Sequence, residues 1–190
     1  MKKLGAILAL AVLLSGCSGE NRELDRAMSL RSKLLRAEGC SFTAKITADY
    51  GDSLQSFTLD CQGDAQGAVR FQVTEPHSIS GITGILSDTG GKLTFDDEAV
   101  HFDYLTDDQL SPISAPWVFL KTLRAGYLTA AGMEGELNYV TARDSYQEDA
   151  LLVDFWLEAG NIPIRSEILY RGRRILTLEI QNFRISSAHA

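Results

Sequence analysis

The sequence predicts an α+β protein, in which an antiparallel sheet, closed or half-closed, is combined with two helices. Three observations carry this prediction. Short segments of alternating apolar and polar residues recur along most of the chain, with turn residues between them. A segment with helical spacing of its apolar residues precedes the first strand. A proline-led apolar segment interrupts the strands near the middle of the chain.

The chain begins with a pattern that is typical of an export signal. Two lysines precede an apolar run, residues 4–14, which is followed by Ser-Gly-Cys17. The run is shorter than the roughly 20 residues that a membrane-spanning helix needs. Leu-Ser-Gly-Cys resembles the lipobox of bacterial lipoproteins, and this resemblance implies cleavage before Cys17, diacylglycerol on its sulfur and acylation of its amine, for example with palmitate. An ordinary secretory signal that ends in Cys is the alternative.

Length and charge fit one anchored domain. Removal of the lipoprotein signal peptide, residues 1–16, leaves 174 residues, which is enough for a core. We expect a lipidated N-terminus with the first helix at 17–38, packed on a single β domain at 39–190. The mature chain has 16 basic and 25 acidic residues, a net charge of −9. This charge argues against nucleic-acid binding and against docking on anionic lipid, so the lipid must provide the anchor.

The first helix is predicted at residues 20–38. Acidic side chains at its start and Arg36 near its end suit the helix dipole, and Gly39 is a reasonable terminator. We interpret its apolar stripe as core packing, with a partner-binding face as the alternative. The stripe consists of Leu24, Ala27, Met28, Leu34 and Leu35.

The first two strands predict a hairpin that carries two cysteines. Two alternating segments, 41–50 and 54–61, flank a Gly-Asp-Ser turn. A register with Phe42 opposite Leu59 places Cys40 opposite Cys61 on the apolar face. In an oxidising compartment this opposition predicts a disulfide, and two free buried thiols are the alternative. Two cysteines without a matching His cluster do not make a zinc site, so we expect no metal.

The rest of the chain predicts a meander interrupted by a second helix. Prolines at positions 112 and 116 favour a stiff entry into this helix, and Gly126 marks its end. The apolar side of the helix comes from Trp117, Leu120 and Leu123, with Phe119 as a further candidate. The further strands are predicted at 67–74, 80–86, 92–95, 99–105, 135–143, 151–157, 162–170 and 174–184.

This order of elements resembles the lipoprotein-carrier family of LolA and LolB. The segments 70–76 (RFQVTEP) and 90–96 (GGKLTFD) resemble the central hairpins of that family. The resemblance implies an incomplete antiparallel β-barrel whose concave apolar face is covered by the N-terminal and mid-chain helices. The cysteine pair, Pro76 with residues 79–84 (ISGITG), and residues 111–116 (SPISAP) resemble, more narrowly, the GerS-type spore-germination lipoproteins.

Two apolar segments are the candidate ligand or partner surface. Isoleucines spaced by glycines next to Pro76 predict a mobile lip over a cavity or an exposed patch, with core packing as the alternative. Aromatic residues at the start of the second helix are candidates for the same mouth, although aromatic residues beneath a helix are more often core. The candidate residues are Ile79, Ile82, Ile85, Trp117, Phe119 and Leu123.

The sequence contains no pattern that indicates catalysis. The three histidines fall in no metal-binding or Ser-His-Asp arrangement. The acidic residues between 96 and 108 lack the spacing of a calcium loop and are interpreted as solvated turns. Glu167 and Glu179 lie in late strands, where surface ion pairs with nearby arginines are the simpler interpretation. We therefore expect no enzymatic activity, catalytic residue or cofactor.

Taken with the resemblance, these features predict an anchored binding protein. The first hypothesis is a lipoprotein at the cell membrane or outer membrane, facing away from the cytoplasm, that shelters an acyl chain or a lipoprotein lipid in its half-barrel. The second is a non-catalytic scaffold whose outside binds another exported protein, such as a spore-cortex or germination enzyme. An open apolar hollow would favour the first hypothesis, and a packed interior would favour the second.

Overall fold

The computed structural model describes residues 22–186 except residues 52, 97, 107 and 108. The predicted signal peptide and Cys17 lie outside these residues. No helix in the described part is long and apolar enough to cross a bilayer. The helices are α1 (Arg22–Arg36) and α2 (Ala115–Ala125). The strands are β1 (Gly39–Asp49), β2 (Leu54–Asp64), β3 (Val69–Glu75), β4 (Thr83–Ser87), β5 (Gly90–Phe95), β6 (Glu98–Phe102), β7 (Leu105–Thr106), β8 (Gln109–Leu110), β9 (Tyr127–Glu134), β10 (Leu137–Arg143), β11 (Leu152–Glu158), β12 (Ile162–Tyr170) and β13 (Arg173–Ser186).

Eleven of these strands form one antiparallel sheet with two open edges. Their order is β6-β5-β4-β3-β2-β1-β13-β12-β11-β10-β9, and β7 pairs with β8 apart from it. The described chain is thus α+β, with a large open sheet and two helices. Because β1 pairs with β13, the first and last strands meet inside the sheet and join two meanders. The edges are β6 and β9.

Strict alternation in the sequence produces the core face of the sheet. In β1, every second side chain from Cys40 to Ala48 is buried, while Lys45 on the other face is exposed. β3 buries Val69, Phe71 and Val73 in the same way. β11 is buried over five consecutive residues, as its continuous apolar pattern predicts for a strand covered on both faces.

α2 lies against the part of the core face that β1, β11 and β13 form. Eight of its eleven residues are buried. The ring of Phe119 lies 5.5 Å from that of Phe42, 5.8 Å from that of Phe155 and 6.5 Å from that of Phe183, between centroids. These partners come from β1, β11 and β13, so a single helix contacts both halves of the sheet.

α1 packs over the end of α2 and over the β9–β10 side of the sheet. It buries Ala27, Leu30 and Leu34, whereas Met28 and Leu35 of the predicted stripe are 47% and 56% exposed. The guanidinium group of Arg31 donates to the carbonyl oxygens of Leu123 at 2.9 Å and Thr122 at 3.3 Å. A cation therefore caps the C-terminal end of α2, where the helix dipole is negative. Burial lowers the pKa of Arg31.

The hairpin of β1 and β2 has a different register from the predicted one. Phe42 lies opposite Cys61, and Cys40 lies opposite Gly63. Four residues separate β1 from β2, and this spacing goes with a β2 that is moved by two positions relative to the prediction. Cys40 and Cys61 are consequently diagonal neighbours rather than directly opposed residues. Both are buried free thiols, so the predicted disulfide is absent and the alternative holds.

Candidate ligand pocket

A cavity of about 290 Å³ opens beside the N-terminal end of α2. Its walls come from three parts of the chain: the segment from β6 into α2, the connection between β10 and β11, and the end of β12. We call it the aromatic pocket, and its larger apolar and aromatic side chains are Tyr104, Leu110, Trp117, Val118, Leu151 and Tyr170.

Trp117 forms the inner wall of the pocket. A short 3-10 turn, Pro112–Ser114, leads into α2, and Pro116 stands in the first turn of the helix, where its missing N–H costs no hydrogen bond. This entry places the indole of Trp117 beside Tyr104, with 4.6 Å between ring centroids. The indole is only 8% exposed, so it is a fixed wall rather than a loose cover.

Tyr104 is held in place by its hydroxyl group. The hydroxyl accepts a hydrogen bond from the N–H of Ser87 at 2.6 Å. It also lies 2.6 Å from the carbonyl oxygen of Ser87 and 2.7 Å from that of Gly90, each of which can accept its proton. Burial raises the pKa of Tyr104 to about 12. The turn between β4 and β5 thus fixes one side of the pocket.

The loop between β10 and β11 forms the opposite side. The N–H of Leu151 donates to Oδ1 of Asp144 at 2.8 Å, and the N–H of Asp144 donates to the carbonyl oxygen of Leu151 at 3.1 Å. Arg143 donates to the carbonyl oxygen of Gln147 at 2.8 Å. These bonds close the loop at its base, which keeps Leu151 and Ala150 directed along the pocket wall.

The rim of the pocket is polar. Lys121, Asp144 and Asp149 line it together with Ser145 and Gln147. The ammonium group of Lys121 lies 4.7 Å from the centroid of the Trp117 ring, which is a cation–π contact. An aromatic interior with a charged rim can take an amphiphile, with the apolar part inside and the polar part at the mouth. In the described part of the chain, no group of three or more metal-binding side chains comes together.

The six candidate surface residues do not form one surface. Trp117 lines the aromatic pocket. Phe119 and Leu123, at 0% and 4% exposure, belong to the core beneath α2. The alternative of core packing is therefore the correct one for these two residues.

The three isoleucines lie in three different places. Ile79 ends a 3-10 turn and is 38% exposed. Ile82 is half-buried against the core, and its carbonyl oxygen accepts from the N–H of Val73 at 2.8 Å. Ile85 lies opposite Arg70, on the face of the sheet away from α2. The predicted single lip is therefore not formed.

The late carboxylates take part in ion pairs. Glu167 is buried and contacts Arg165 and Arg174, with 2.9 Å to the latter. Glu179 lies 3.5 Å from the ammonium group of Lys45 on the surface. Ion pairing is therefore present at both residues, but Glu167 is buried rather than on the surface, and the partner of Glu179 is Lys45 rather than an arginine. Neither lines the aromatic pocket.

Sequence reasoning missed most of the pocket. Trp117 was found through its place at the start of a proline-led helix, but Tyr104 and Tyr170 were not singled out. Tyr104 follows an acidic turn, and Tyr170 ends a strand. No local pattern distinguishes such residues, because they meet only when the sheet brings β12 and the β6–α2 segment together.

Comparison with known proteins gives similarities in structure and none in sequence. No protein-family model and no curated protein matches this chain. An uncharacterized conserved protein from Thermus thermophilus is 12% identical, with a TM-score of 0.46 and coverage of 88% of each chain. A LolA superfamily protein from Nitrosomonas europaea is 8% identical, with a TM-score of 0.44, over 86% of this chain and 94% of that one.

A third similar structure is the lipoprotein LppX from Mycobacterium tuberculosis. It is 13% identical, with a TM-score of 0.43, over 85% of this chain and 93% of that one. One of the three structures thus comes from the superfamily that the sequence resembles. At these identities and TM-scores the similarities assign neither family nor ligand.

Proposed function

We propose that this chain is a non-catalytic binding protein of the cell envelope that binds one acyl chain, or another slender apolar group, in the aromatic pocket. The observation that carries the proposal is the combination of an aromatic cavity with a rim of Lys121, Asp144 and Asp149. Anchoring through lipid on Cys17 and a location outside the cytoplasm are part of the proposal. The resemblance to the LolA and LolB family, and the closer resemblance to the GerS-type lipoproteins, are also part of the proposal.

The size of the pocket limits what it can hold. Ligand pockets usually have volumes of about 300–1,000 Å³. At about 290 Å³, the aromatic pocket matches the lower end of that range. α2 occupies the neighbouring core face, where Phe119 and Leu120 are almost completely buried. Several acyl chains would therefore require α2 to leave its place, whereas a single chain would not.

Binding of a fluorescent fatty acid tests this proposal. We expect saturable binding at one site per chain, and weaker binding when Ala150 on the pocket wall is replaced by Phe. The added ring would fill the cavity from a surface loop without altering the core beneath α2. We expect the affinity of Ala150→Phe to fall at least about tenfold.

The matched control is Ala65→Phe, which places the same ring on an exposed turn between β2 and β3. This variant should bind the probe like the parent chain. Absence of saturable binding, or equal affinity in Ala150→Phe and the parent, would refute an acyl ligand in this pocket. The anchor is tested separately by mass spectrometry of the peptide that contains Cys17, which should carry acyl chains.

The second candidate function, a scaffold for an exported protein, is favoured by a different observation. Leu93 lies opposite Gly84 and Val100, and the Gly84 Cβ position points at the ring of Phe71, so these residues share the core face. Yet Val100 is 62% exposed, and Phe95, two residues after Leu93, is 56% exposed. The core face thus continues beyond α2 as an uncovered apolar area, which we call the distal patch (Leu93, Phe95 and Val100).

Such a patch suits a protein partner, for example a cell-wall or germination enzyme encoded by a neighbouring gene. In a titration with that enzyme, Val100→Glu should abolish binding and leave fatty-acid binding unchanged. Unchanged affinity for the enzyme would exclude the distal patch as the contact. The two functions can therefore be distinguished with the same set of purified variants.

A further inference from the structure

A larger cavity lies on the face of the sheet that points away from α2. It is an open groove of about 770 Å³ across the strands from β13 to β5. Most of its lining residues are the polar members of the same alternating strands whose apolar members form the core, and Phe42, Cys61, Phe71 and Ile85 also line it. We call it the polar groove.

Strand registers arrange the lining of the polar groove into two rows. Directly opposed residues in neighbouring strands share a face and lie side by side, so each chain of opposed pairs makes a row across the sheet. The first row runs through Arg184, Ser41, Gln62, Arg70, Ile85 and Lys92. The second row runs through Thr43, Asp60, Gln72, Thr83 and Thr94.

The first row carries three cations. Strands lie about 4.8 Å apart, so Arg184 and Arg70 are separated by roughly 14 Å and Arg70 and Lys92 by roughly 10 Å along the row. Arg70 has one ionic neighbour outside the row, because its Nη1 lies 3.8 Å from Oδ2 of Asp64. Among the described residues that line the groove, Asp60 is the one carboxylate.

The second row carries hydroxyl and amide groups. Thr43 donates to Oδ1 of Asp60 at 2.9 Å, which occupies part of that carboxylate. The other members offer donors and acceptors that suit hydroxyl groups of a ligand. The groove therefore combines positive charge at intervals with neutral polar groups, in a chain whose net charge is −7.

We propose that the polar groove binds an anionic polysaccharide. The carboxylates of the glycan would lie on the first row, at Arg184, Arg70 and Lys92, and its hydroxyl groups would lie on the second row. Arginine recognises a carboxylate with two parallel hydrogen bonds, which lysine and simple charge attraction do not provide. Phe42 and Phe71 are among the residues that line the groove, but each is only 3% exposed, so their rings offer no stacking surface to a ligand. Single-stranded nucleic acid depends on such stacking, which favours a glycan instead.

Titration of the full-length chain with polygalacturonate tests the proposal. We expect binding that weakens as the ionic strength rises, because exposed charges are screened. Methyl-esterified polygalacturonate, the same sugar without its charges, should not bind. Polyglutamate, which has the charges without the hydroxyl groups, should bind at least about tenfold more weakly. Equal binding of polyglutamate and polygalacturonate would overturn the proposal, since bulk charge alone would then account for it.

A matched pair of triple variants locates the binding surface. Arg70→Gln, Lys92→Gln and Arg184→Gln together should reduce affinity for polygalacturonate at least about tenfold. The control changes the same number of exposed cations on α1, namely Arg22→Gln, Lys33→Gln and Arg36→Gln. Equal loss in both triple variants, or no loss in the first, would overturn the proposal. Fatty-acid binding should persist in the groove variant, so failure here leaves the aromatic pocket untouched.

Discussion

At the scale of single residues, hydrogen bonds from polar side chains hold turns and helix ends whose positions the apolar pattern of the sequence does not determine. The hydroxyl of Tyr104 bonds the β4–β5 turn, and the guanidinium group of Arg31 bonds the end of α2. Asp154 accepts hydrogen bonds from the hydroxyl groups of Tyr139 and Thr141 at 2.8 and 2.7 Å. None of these pairings follows from sequence spacing, because each joins residues that only the folded chain brings together.

The two thiols give a prediction at this scale. Burial raises the pKa of Cys40 from 9.0 to about 11, and it raises the pKa of Cys61 further. In the unfolded chain both thiols lose their protons near pH 9, while in the folded chain they keep them. The contribution of the two thiols to the free energy of unfolding should therefore be constant below pH 9 and fall as the pH rises from 9 towards 11.

Denaturation at a series of pH values measures this loss, with Cys40→Ala and Cys61→Ala as variants in which the loss should be smaller. In a chain that carries Cys17→Ser, thiol reagents should react slowly before unfolding and detect two thiols afterwards. Detection of no thiol in the unfolded chain would contradict the two free cysteines.

At the scale of elements, the alternating pattern predicts strands that have one buried face. It misses β9, which has no buried face. β1 and β3 alternate cleanly, and both were predicted within two residues of their bounds. β9 reads YLTAAGME, has no buried residue and forms an edge, so alternation could not reveal it. The register of β1 and β2 failed for another reason, because alternation allows any shift by two and only the loop length chooses among them.

The contact between α2 and β2 gives a prediction at this scale. A Cβ on Gly63 would lie 2.3 Å from Cδ2 of Leu120 and 3.1 Å from the sulfur of Cys40. Leu120 is 1% exposed and cannot swing into solvent. Gly63→Ala should therefore push α2 from the sheet and reduce the free energy of unfolding by about 1–3 kcal/mol.

Gly132→Ala is the matched control, because a Cβ there meets no atom within 4 Å. Urea denaturation of both variants makes the comparison. A Gly63→Ala variant as stable as Gly132→Ala would contradict the close approach of α2 to β2.

At the scale of the whole molecule, α2 determines how much of the core face of the sheet is left open to a ligand or partner. The sequence predicted a closed or half-closed antiparallel sheet combined with two helices, and the eleven-stranded open sheet with two helices agrees with the coarse form of that prediction. It could not predict how much of the core face α2 fills, because volume depends on side chains from distant strands. The result is a small pocket beside α2, an uncovered patch beyond it and a groove on the reverse face.

Burial predicts how protection from hydrogen exchange varies across the sheet. β1 is paired on both sides and buries Ala44, Ile46 and Ala48 completely. β6 is paired on one side, and four of its five residues are exposed. Amides in the middle of β1 should therefore exchange slowest and those of β6 much faster. Equal protection of peptides from the two strands, measured by mass spectrometry, would contradict this stability gradient.

The pairing of β1 with β13 has a consequence for how the chain is made. Each meander can assemble from neighbouring segments, but the seam between them joins residues near 40 to residues near 185. A contact between such distant positions forms late and slowly. If the chain is exported N-terminus first, as proposed above, it should stay incompletely folded until β13 has crossed the membrane, because β1 lacks its partner until then.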